Sequence, residues 1–240
     1  MSAYSIMDER IVKLNEVAQH GNIEAFYNLI IRKDVKILED IDELPFADTP
    51  LHIAASAGGS QHIQFAMEMM RLKPSFARKP NRNGYSPIHL ALQNGHTKMV
   101  CRLLHIDGDL VRVKGKMGIT PLHEVAAAAA TEQQLDLLVK FLSACPNSIE
   151  DETIQNQTAL HIALENNNLD AFKCLVRWLR KNKSENAREI LNRRNEEGNT
   201  VLHVAVSKNQ TEASSLLSSI IYLLKKHIWV VNVYRASNTS

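Results

Sequence analysis

A six-residue motif that recurs five times constrains this chain more than any other feature. The copies are TPLHIA at 49, SPIHLA at 86, TPLHEV at 120, TALHIA at 158 and TVLHVA at 200. Successive copies begin 37, 34, 38 and 42 residues apart. A motif that returns at such a period predicts an array of similar structural units, each packed against its neighbours.

The residues that follow each motif predict a pair of helices. In the copy at 86–104, Ser86 can cap a helix, Pro87 suits its first turn, and Asn94-Gly95 ends it. Apolar residues then recur at spacings of three and four from Met99 to Leu104, which is typical of an amphipathic second helix. One repeat is therefore predicted to be a helical hairpin.

The copies differ in informative ways. Residues 14–30 resemble a more polar hairpin without Thr-Pro, as expected of a capping unit. Two copies are longer than the one at 86–104, and we expect their extra residues in the connections between paired helices, near 58–60 and 126–134.

Composition excludes several classes of protein. The chain has 240 residues, 45% of them hydrophobic, and a formal charge of +2, which gives no bulk attraction for nucleic acid. Its three cysteines lack a CxxC pair and favour a reducing compartment. The longest apolar run, 216–224, is too short for a transmembrane span, and the first residues do not read as a secretory signal.

The motif resembles the ankyrin repeat, whose signature reads T-P-L-H-x-A. The resemblance implies an all-α ankyrin-repeat solenoid of stacked helix-turn-helix units, with about six repeats of which the first and last are atypical. The spacers at 73–84, 105–118, 145–156 and 191–203 resemble the plant ankyrin and transmembrane family with a C-terminal PGG domain, especially its BDA-like (bian da) subgroup. The membrane half of that family is missing from these residues.

Three segments follow from this pattern. Residues 1–40 are predicted to be a divergent N-terminal capping repeat, 41–217 the ankyrin repeats, and 218–240 an atypical C-terminal tail. The apolar residues of the tail, from Ile220 to Val231, are predicted either to fold back on the last hairpin or to associate with another surface.

The recurring histidines do not predict a catalytic or metal site. Equivalent positions on stacked helices lie roughly 8 to 10 Å apart, too far to share one ion. We expect each imidazole to bond the backbone or the hydroxyl three residues before it. Cys101 and Cys174 have no neighbour that would activate a thiol, so neither an enzyme nor a cofactor is predicted. The structural motif residues are Thr49, His52, Ser86, His89, Thr120, His123, Thr158, His161, Thr200 and His203.

The resemblance to ankyrin repeats implies that this chain binds partners at a concave face. That face is formed by the residues before Thr-Pro and by those that end the first helix. Large apolar residues in such positions, with arginine and lysine beside them, favour an interface. The predicted partner-binding residues are Phe46, Arg82, Tyr85, Gln93, Lys116, Met117, Ile154, Gln155 and Glu165. Ile119 is the apolar neighbour that we most expect to pack inward.

The resemblance implies a monomeric, non-catalytic protein-interaction module of plant immune or stress signalling. The family is associated with salicylic acid signalling, and its partners would include a membrane receptor or signalling protein. It implies a cytoplasmic location, at the cytosolic face of the plasma membrane. The alternative is a cytosolic domain of a membrane transport or channel-type complex. The basic runs at 180–194 and 223–227 are interpreted as solvated segments, without nucleic acid as a partner.

Overall fold

The computed structural model describes residues 3–33, 36–129, 131–182 and 186–220, and these residues contain helices and no strand. Residues 211–220 are also helical and are called α14. The helices before it are α1 (Ala3–His20), α2 (Ile23–Lys33), α3 (Ile37–Glu43), α4 (Pro50–Ala57), α5 (Ser60–Leu72), α6 (Pro87–Gln93), α7 (Thr97–Ile106), α8 (Pro121–Ala127), α9 (Glu132–Ala144), α10 (Ala159–Glu165), α11 (Leu169–Lys181), α12 (Ala187–Asn192) and α13 (Val201–Ser207).

The chain divides into two compact units. The first unit comprises Met1–Glu124 and Lys140–Ser148, and the second comprises Val125–Val139 and Ile149–Ser240. The boundaries fall inside α8 and α9, so the units do not correspond to whole repeats.

In the first unit, consecutive hairpins stack through their first helices. Helix α4 packs against its partner α5 and against α1 and α6, and α6 packs against α7. The faces that meet bury Leu51, Phe65, Ile88 and Met99 completely. Helices of seven or eight residues are marginal in isolation, so this packing is what holds them. The helical hairpin predicted from the motif is confirmed.

The second unit repeats the same hairpin. Helix α10 packs against α11 and α13. Asn167 and Asn209 take left-handed φ values of 57° and 55° where Gly95 has 72°, because asparagine tolerates this region better than most residues.

The last described helix continues the pattern to residue 220. Ala213, Leu217 and Ile220 are buried at spacings of four and three along α14. Ile220, the first apolar residue of the predicted tail, continues this buried stripe, as expected if the tail folds back on the last hairpin. The rest of the predicted tail, 221–240, and the basic run at 223–227 lie outside the described residues.

The spacers contribute to the core, which the sequence pattern did not predict. Short 3-10 helices at Pro74–Ala77, Gly108–Arg112 and Pro146–Glu150 lie in the first three spacers, and helix α12 runs into the fourth. Each of these elements buries at least one apolar side chain: Phe76, Ala77, Leu110, Val111, Ile149, Ala187, Ile190 and Leu191.

The extra residues of the longer copies extend helices. In the copies that begin with α4 and α6, the second helix starts ten residues after the motif proline, at Ser60 and at Thr97. However, α5 has 13 residues and α7 has 10. The insertion expected at 58–60 is therefore a longer α5. Helix α9 also has 13 residues, but it starts eleven residues after Pro121, so one extra residue lies in the connection expected at 126–134.

In the N-terminal segment, a third helix follows the predicted hairpin. The hairpin at 14–30 is present as α1 and α2, with Gly21 at φ 62° between them. The boundary predicted between residues 40 and 41 falls inside α3, whose Ile37, Leu38 and Ile41 are buried.

Candidate protein-interaction site

Four turns of one design precede the motif copies at 86, 120, 158 and 200. In each turn the first backbone N–H donates to the fifth carbonyl oxygen, and the fourth N–H donates to the first carbonyl oxygen. The bonds from first to fifth residue measure 2.8 to 3.0 Å and join Asn81 to Tyr85, Gly115 to Ile119, Thr153 to Gln157, and Asn195 to Asn199. The fourth residue has a positive φ in every turn and is Gly84, Gly118, Asn156 or Gly198.

The first side chain of the turn sets the conformation of the residues after it. Asn81 Oδ1 accepts hydrogen bonds of 3.0 Å from the backbone N–H groups of Asn83 and Tyr85. Thr153 Oγ1 likewise accepts hydrogen bonds from the backbone N–H groups of Gln155 and Gln157, at 3.2 and 3.3 Å. This acceptor holds the third residue of the turn in place.

The turn at Gly115 lacks that acceptor, and its backbone differs. Met117, the third residue, has φ 59° and ψ 19°, a left-handed conformation that is uncommon for methionine. A Cβ atom at Gly115 would lie 2.9 Å from His89 Nε2, so the imidazole occupies the space that a capping side chain would need. Met117 is thereby held in a strained, projecting position with 48% of its surface exposed.

Three of the motif histidines, His52, His89 and His161, connect their repeat to the next turn. The backbone N–H of Thr49 donates to His52 Nδ1, and Nε2–H of His52 donates to the Tyr85 carbonyl oxygen at 3.0 Å. His89 bonds the Ile119 oxygen at 3.1 Å in the same way, and His161 bonds the Asn199 oxygen at 3.2 Å. The bond toward the hydroxyl measures between 2.7 and 2.9 Å in all five copies, at Thr49–His52, Ser86–His89, Thr120–His123, Thr158–His161 and Thr200–His203.

These bonds require neutral imidazole. Nδ1 accepts a backbone N–H, so only Nε2 carries hydrogen, and a second proton would face a donor. Burial lowers the pKa of His52 and of His89 to about 4, and it also lowers the pKa of His161. The sequence analysis identified the bond within the repeat but missed the bond to the next turn, because the recipient is a backbone carbonyl without a sequence signature.

A second series of hydrogen bonds links the start of each of three second helices to the repeat before it. His62 Nε2 bonds the Gln19 oxygen and His96 Nε2 bonds the Ser56 oxygen, each at 2.8 Å. In the second unit, the amide of Asn168 donates to the Ala126 oxygen at 3.1 Å. Together with the motif histidines, these side chains set the position of the turn tips within each unit.

The first unit exposes most of the predicted partner-binding residues that it contains. Phe46 is 59% exposed, and Arg82, Gln93, Lys116 and Met117 are exposed as well. Tyr85 is half-buried, with its ring centroid 6.3 Å from that of His89.

The second unit contains the other three predicted residues. Ile154 is 62% exposed at the second position of its turn, and Gln155 beside it is exposed. Glu165 is half-buried and accepts hydrogen bonds from Gln157 Nε2 at 2.7 and 2.6 Å. Burial raises the pKa of the Glu165 carboxyl.

Glu124 is a candidate functional residue that the sequence analysis did not identify. It follows His123 at the position where the other copies carry Ile53, Leu90, Ile162 and Val204. Its Oε1 accepts a 2.7 Å hydrogen bond from Gln93, whereas its buried Oε2 has no hydrogen-bond partner. Burial raises the pKa of the Glu124 carboxyl to about 7. The break in the apolar pattern at TPLHEV was the available signal.

The described part of the chain assembles no metal site. No group of three or more metal-binding side chains comes together among its histidines, cysteines and acidic residues. All three cysteines are free thiols, and burial raises the pKa of Cys174, which opposes thiolate formation.

The recurring capped hairpins and turn tips define a helical-repeat protein of the interaction class. The family model for ankyrin repeats (3 copies) matches residues 14–113 and 125–227, and the chain therefore belongs to the ankyrin-repeat family. The all-α ankyrin-repeat solenoid predicted from the sequence is confirmed. Ankyrin repeats are a non-enzymatic fold that serves as a protein-interaction module. Among the described helices, none has both the length and the apolar character that a membrane span requires.

Two curated proteins are similar to parts of this chain. The chain is 47% identical to Ankyrin repeat-containing protein BDA1 of Arabidopsis thaliana over 74 residues, which are 31% of this chain and 16% of that protein. It is 24% identical to Rabankyrin-5 of Mus musculus over 138 residues, 58% of this chain and 11% of that protein. The predicted resemblance to BDA-like plant ankyrin proteins is confirmed, and the chain spans a small part of the length of each relative.

Proposed function

We propose that this chain is an adaptor of plant immune or stress signalling that captures a protein partner at its turn tips and first-helix ends. The exposure of Phe46, Met117 and Ile154 carries the proposal, because large apolar side chains at projecting positions favour burial against a partner. In the first unit, Arg82 and Lys116 add exposed charged side chains to the turns. The repeats themselves remain intact in the act of binding, and no catalysis is involved.

The signalling assignment rests on the likeness to BDA1, and on the role in plant defence and salicylic acid signalling that the resemblance to the BDA-like family implies. The partner is then a receptor or signalling protein at the cytosolic face of the plasma membrane. Disruption of the gene should reduce the induction of salicylic acid-dependent transcripts after pathogen challenge. An unchanged response in plants without the gene would contradict the signalling role.

Affinity capture from plant tissue tests the binding surface directly. The full chain serves as bait beside the triple variant Tyr85→Ala, Met117→Ala, Ile154→Ala. We expect specific partners to be lost with the variant, because truncating central apolar residues typically weakens an interface by about tenfold or more. Mass spectrometry identifies the captured proteins.

A matched control uses exposed apolar residues outside the turns. Val12, Ile106 and Val139 are 53%, 50% and 48% exposed and lie away from the turns and first-helix ends, so their alanine variants remove similar apolar surface elsewhere. Captures that are lost equally with both triple variants, or retained with both, would contradict the assignment of the turn tips. Equal thermal unfolding temperatures of the baits would establish that folding is unaffected.

A further inference from the structure

Helices α5, α7 and α9 contribute to an open groove of about 680 Å³ in the first unit. Its lining includes Lys98 and Arg102 of α7 and Lys140 of α9. His105 adds a fourth basic side chain one turn beyond Arg102. The groove involves none of the residues of the proposed turn-tip surface.

The cations of this groove are not neutralised by the protein. Among the described residues that line it, none is acidic. The ion pairs of the described chain involve neither Lys98, Arg102 nor Lys140. The Lys140 ammonium approaches Cys101 Sγ at 3.9 Å, which places its charge beside α7. Cations that share a groove repel one another, so an anionic ligand that enters it is favoured.

The remaining lining can bind a peptide backbone. Ser60 and Gln64 of α5 supply a hydroxyl and an amide, and Ile63 between them is half-buried. A volume of about 680 Å³ lies within the range of ligand clefts and exceeds what a single small anion occupies.

The spacing of the cations indicates the form of the ligand. Lys98 and Arg102 are four residues apart on one helix face, which separates their Cα atoms by about 6 Å. Alternate side chains of an extended peptide, which share one face, are about 6.6 Å apart. Acidic groups at alternate positions of an extended segment would therefore match this pair, and Lys140 of the neighbouring helix α9 adds a third cation close to α7.

We infer that this groove binds an extended acidic peptide segment with carboxylate or phosphate groups at alternate positions. The site is distinct from the turn-tip surface and would let one repeat array hold two segments of a partner or two partners. Sequence analysis did not find it, because Lys98, Arg102 and Lys140 form no basic run in the chain.

Fluorescence anisotropy with labelled ten-residue peptides tests the inference. The probes are alternating Asp-Ser, alternating phosphoserine-Gly and neutral Asn-Ser, each measured with the full chain at low and high salt. We expect the two anionic peptides to bind, the neutral one to fail, and high salt to weaken binding. The triple variant Lys98→Gln, Arg102→Gln, Lys140→Gln should lose about tenfold in affinity, since each exposed charge contributes a modest increment.

Two control variants test whether the peptides bind specifically at the groove. Lys13 and Lys114 are exposed cations of the same unit outside the groove, and Lys13→Gln, Lys114→Gln should leave the affinity unchanged. The Tyr85→Ala, Met117→Ala, Ile154→Ala variant should also bind the acidic peptides normally, which separates this site from the proposed function. Equal binding by the groove variant and the wild type would overturn the inference. Binding to phosphatidylserine vesicles without binding to either peptide would overturn it in favour of a membrane contact.

Discussion

Met117 lies in a left-handed conformation because the turn around it lacks the side-chain acceptor that Asn81 and Thr153 provide elsewhere. Replacing it by asparagine, which tolerates this region, should raise the free energy of unfolding by about 1 kcal/mol. Urea unfolding at neutral pH measures the change. If Met117 belongs to the binding surface, the more stable variant should nevertheless bind its partner less tightly.

Gln155 provides the matched control, since it is the third residue of the turn in which Thr153 supplies the acceptor. Unlike Met117, Gln155 does not have a positive φ. Gln155→Asn should therefore leave stability within about 0.5 kcal/mol of the wild type. A loss of stability in Met117→Asn would mean that packing of the methionine outweighs its backbone strain.

Glu124 makes stability fall as pH rises. Its pKa in the folded chain is about 7, above the ordinary 4.5, so the folded state favours the protonated form. The stabilisation is present below pH 4.5 and is lost as pH rises to 7. Glu124→Gln should therefore be more stable than the wild type at pH 8, by about 1 to 3 kcal/mol, with the difference vanishing near pH 4.5.

Chemical unfolding of both proteins at pH 8 and pH 5 checks the sign of this effect. Glu132→Gln, which changes an exposed carboxyl of α9, is the control and should show no such dependence. A Glu124→Gln variant that is less stable than the wild type at pH 8 would show that the carboxylate makes a compensating interaction.

At the scale of the element, the turns between paired helices look equivalent in sequence but differ in packing. Gly58 and Gly95 have φ values of 70° and 72° in corresponding turns. A Cβ atom at Gly58 would lie 2.1 Å from His96 Cγ, whereas a Cβ atom at Gly95 would meet nothing within 4 Å. The imidazole that ties α7 to the Ser56 carbonyl thus occupies the space beside Gly58.

Gly95→Ala should lower the free energy of unfolding by about 1 to 2 kcal/mol, the cost of a left-handed alanine. Gly58→Ala should cost at least about 1 kcal/mol more, because His96 must also move and surrender its hydrogen bond. Thermal or urea unfolding of the two variants side by side measures the difference. Equal destabilisation would contradict the structural role of His96.

At the scale of the whole molecule, buried neutral histidines recur in both units. The folded pKa of His52 and His89 is about 4, below the ordinary 6.5, so their stabilisation is present above pH 6.5. It is lost as pH falls toward 4, at up to about 1.4 kcal/mol per pH unit for each residue. His161 adds to the loss in the second unit.

Urea unfolding between pH 7 and pH 4.5 measures this acid sensitivity, preferably in the Glu124→Gln background, which removes an opposing contribution. Stability that stays constant across the interval would show that the motif imidazoles accept a second proton without losing their hydrogen bonds.

The helical hairpins could be predicted because their determinants are local. Thr49, Ser86 and Thr158 cap helices whose apolar spacing follows a period of 3.6, and each motif carries both signals within a few residues. The exposure of Phe46, Met117 and Ile154 also followed from motif position. The tail beyond 220 and the boundaries of the segments stay predictions.

What the sequence alone determined is the repeat, since capping, turn and stripe depend on neighbours in the chain. The tertiary structure decided which spacer residues enter the core, where Phe76 and Leu110 are buried, and which carbonyl each motif histidine reaches. It also placed Lys98, Arg102 and Lys140 in one groove. These features depend on distances between residues about 30 to 45 positions apart, which packing sets and local periodicity does not encode.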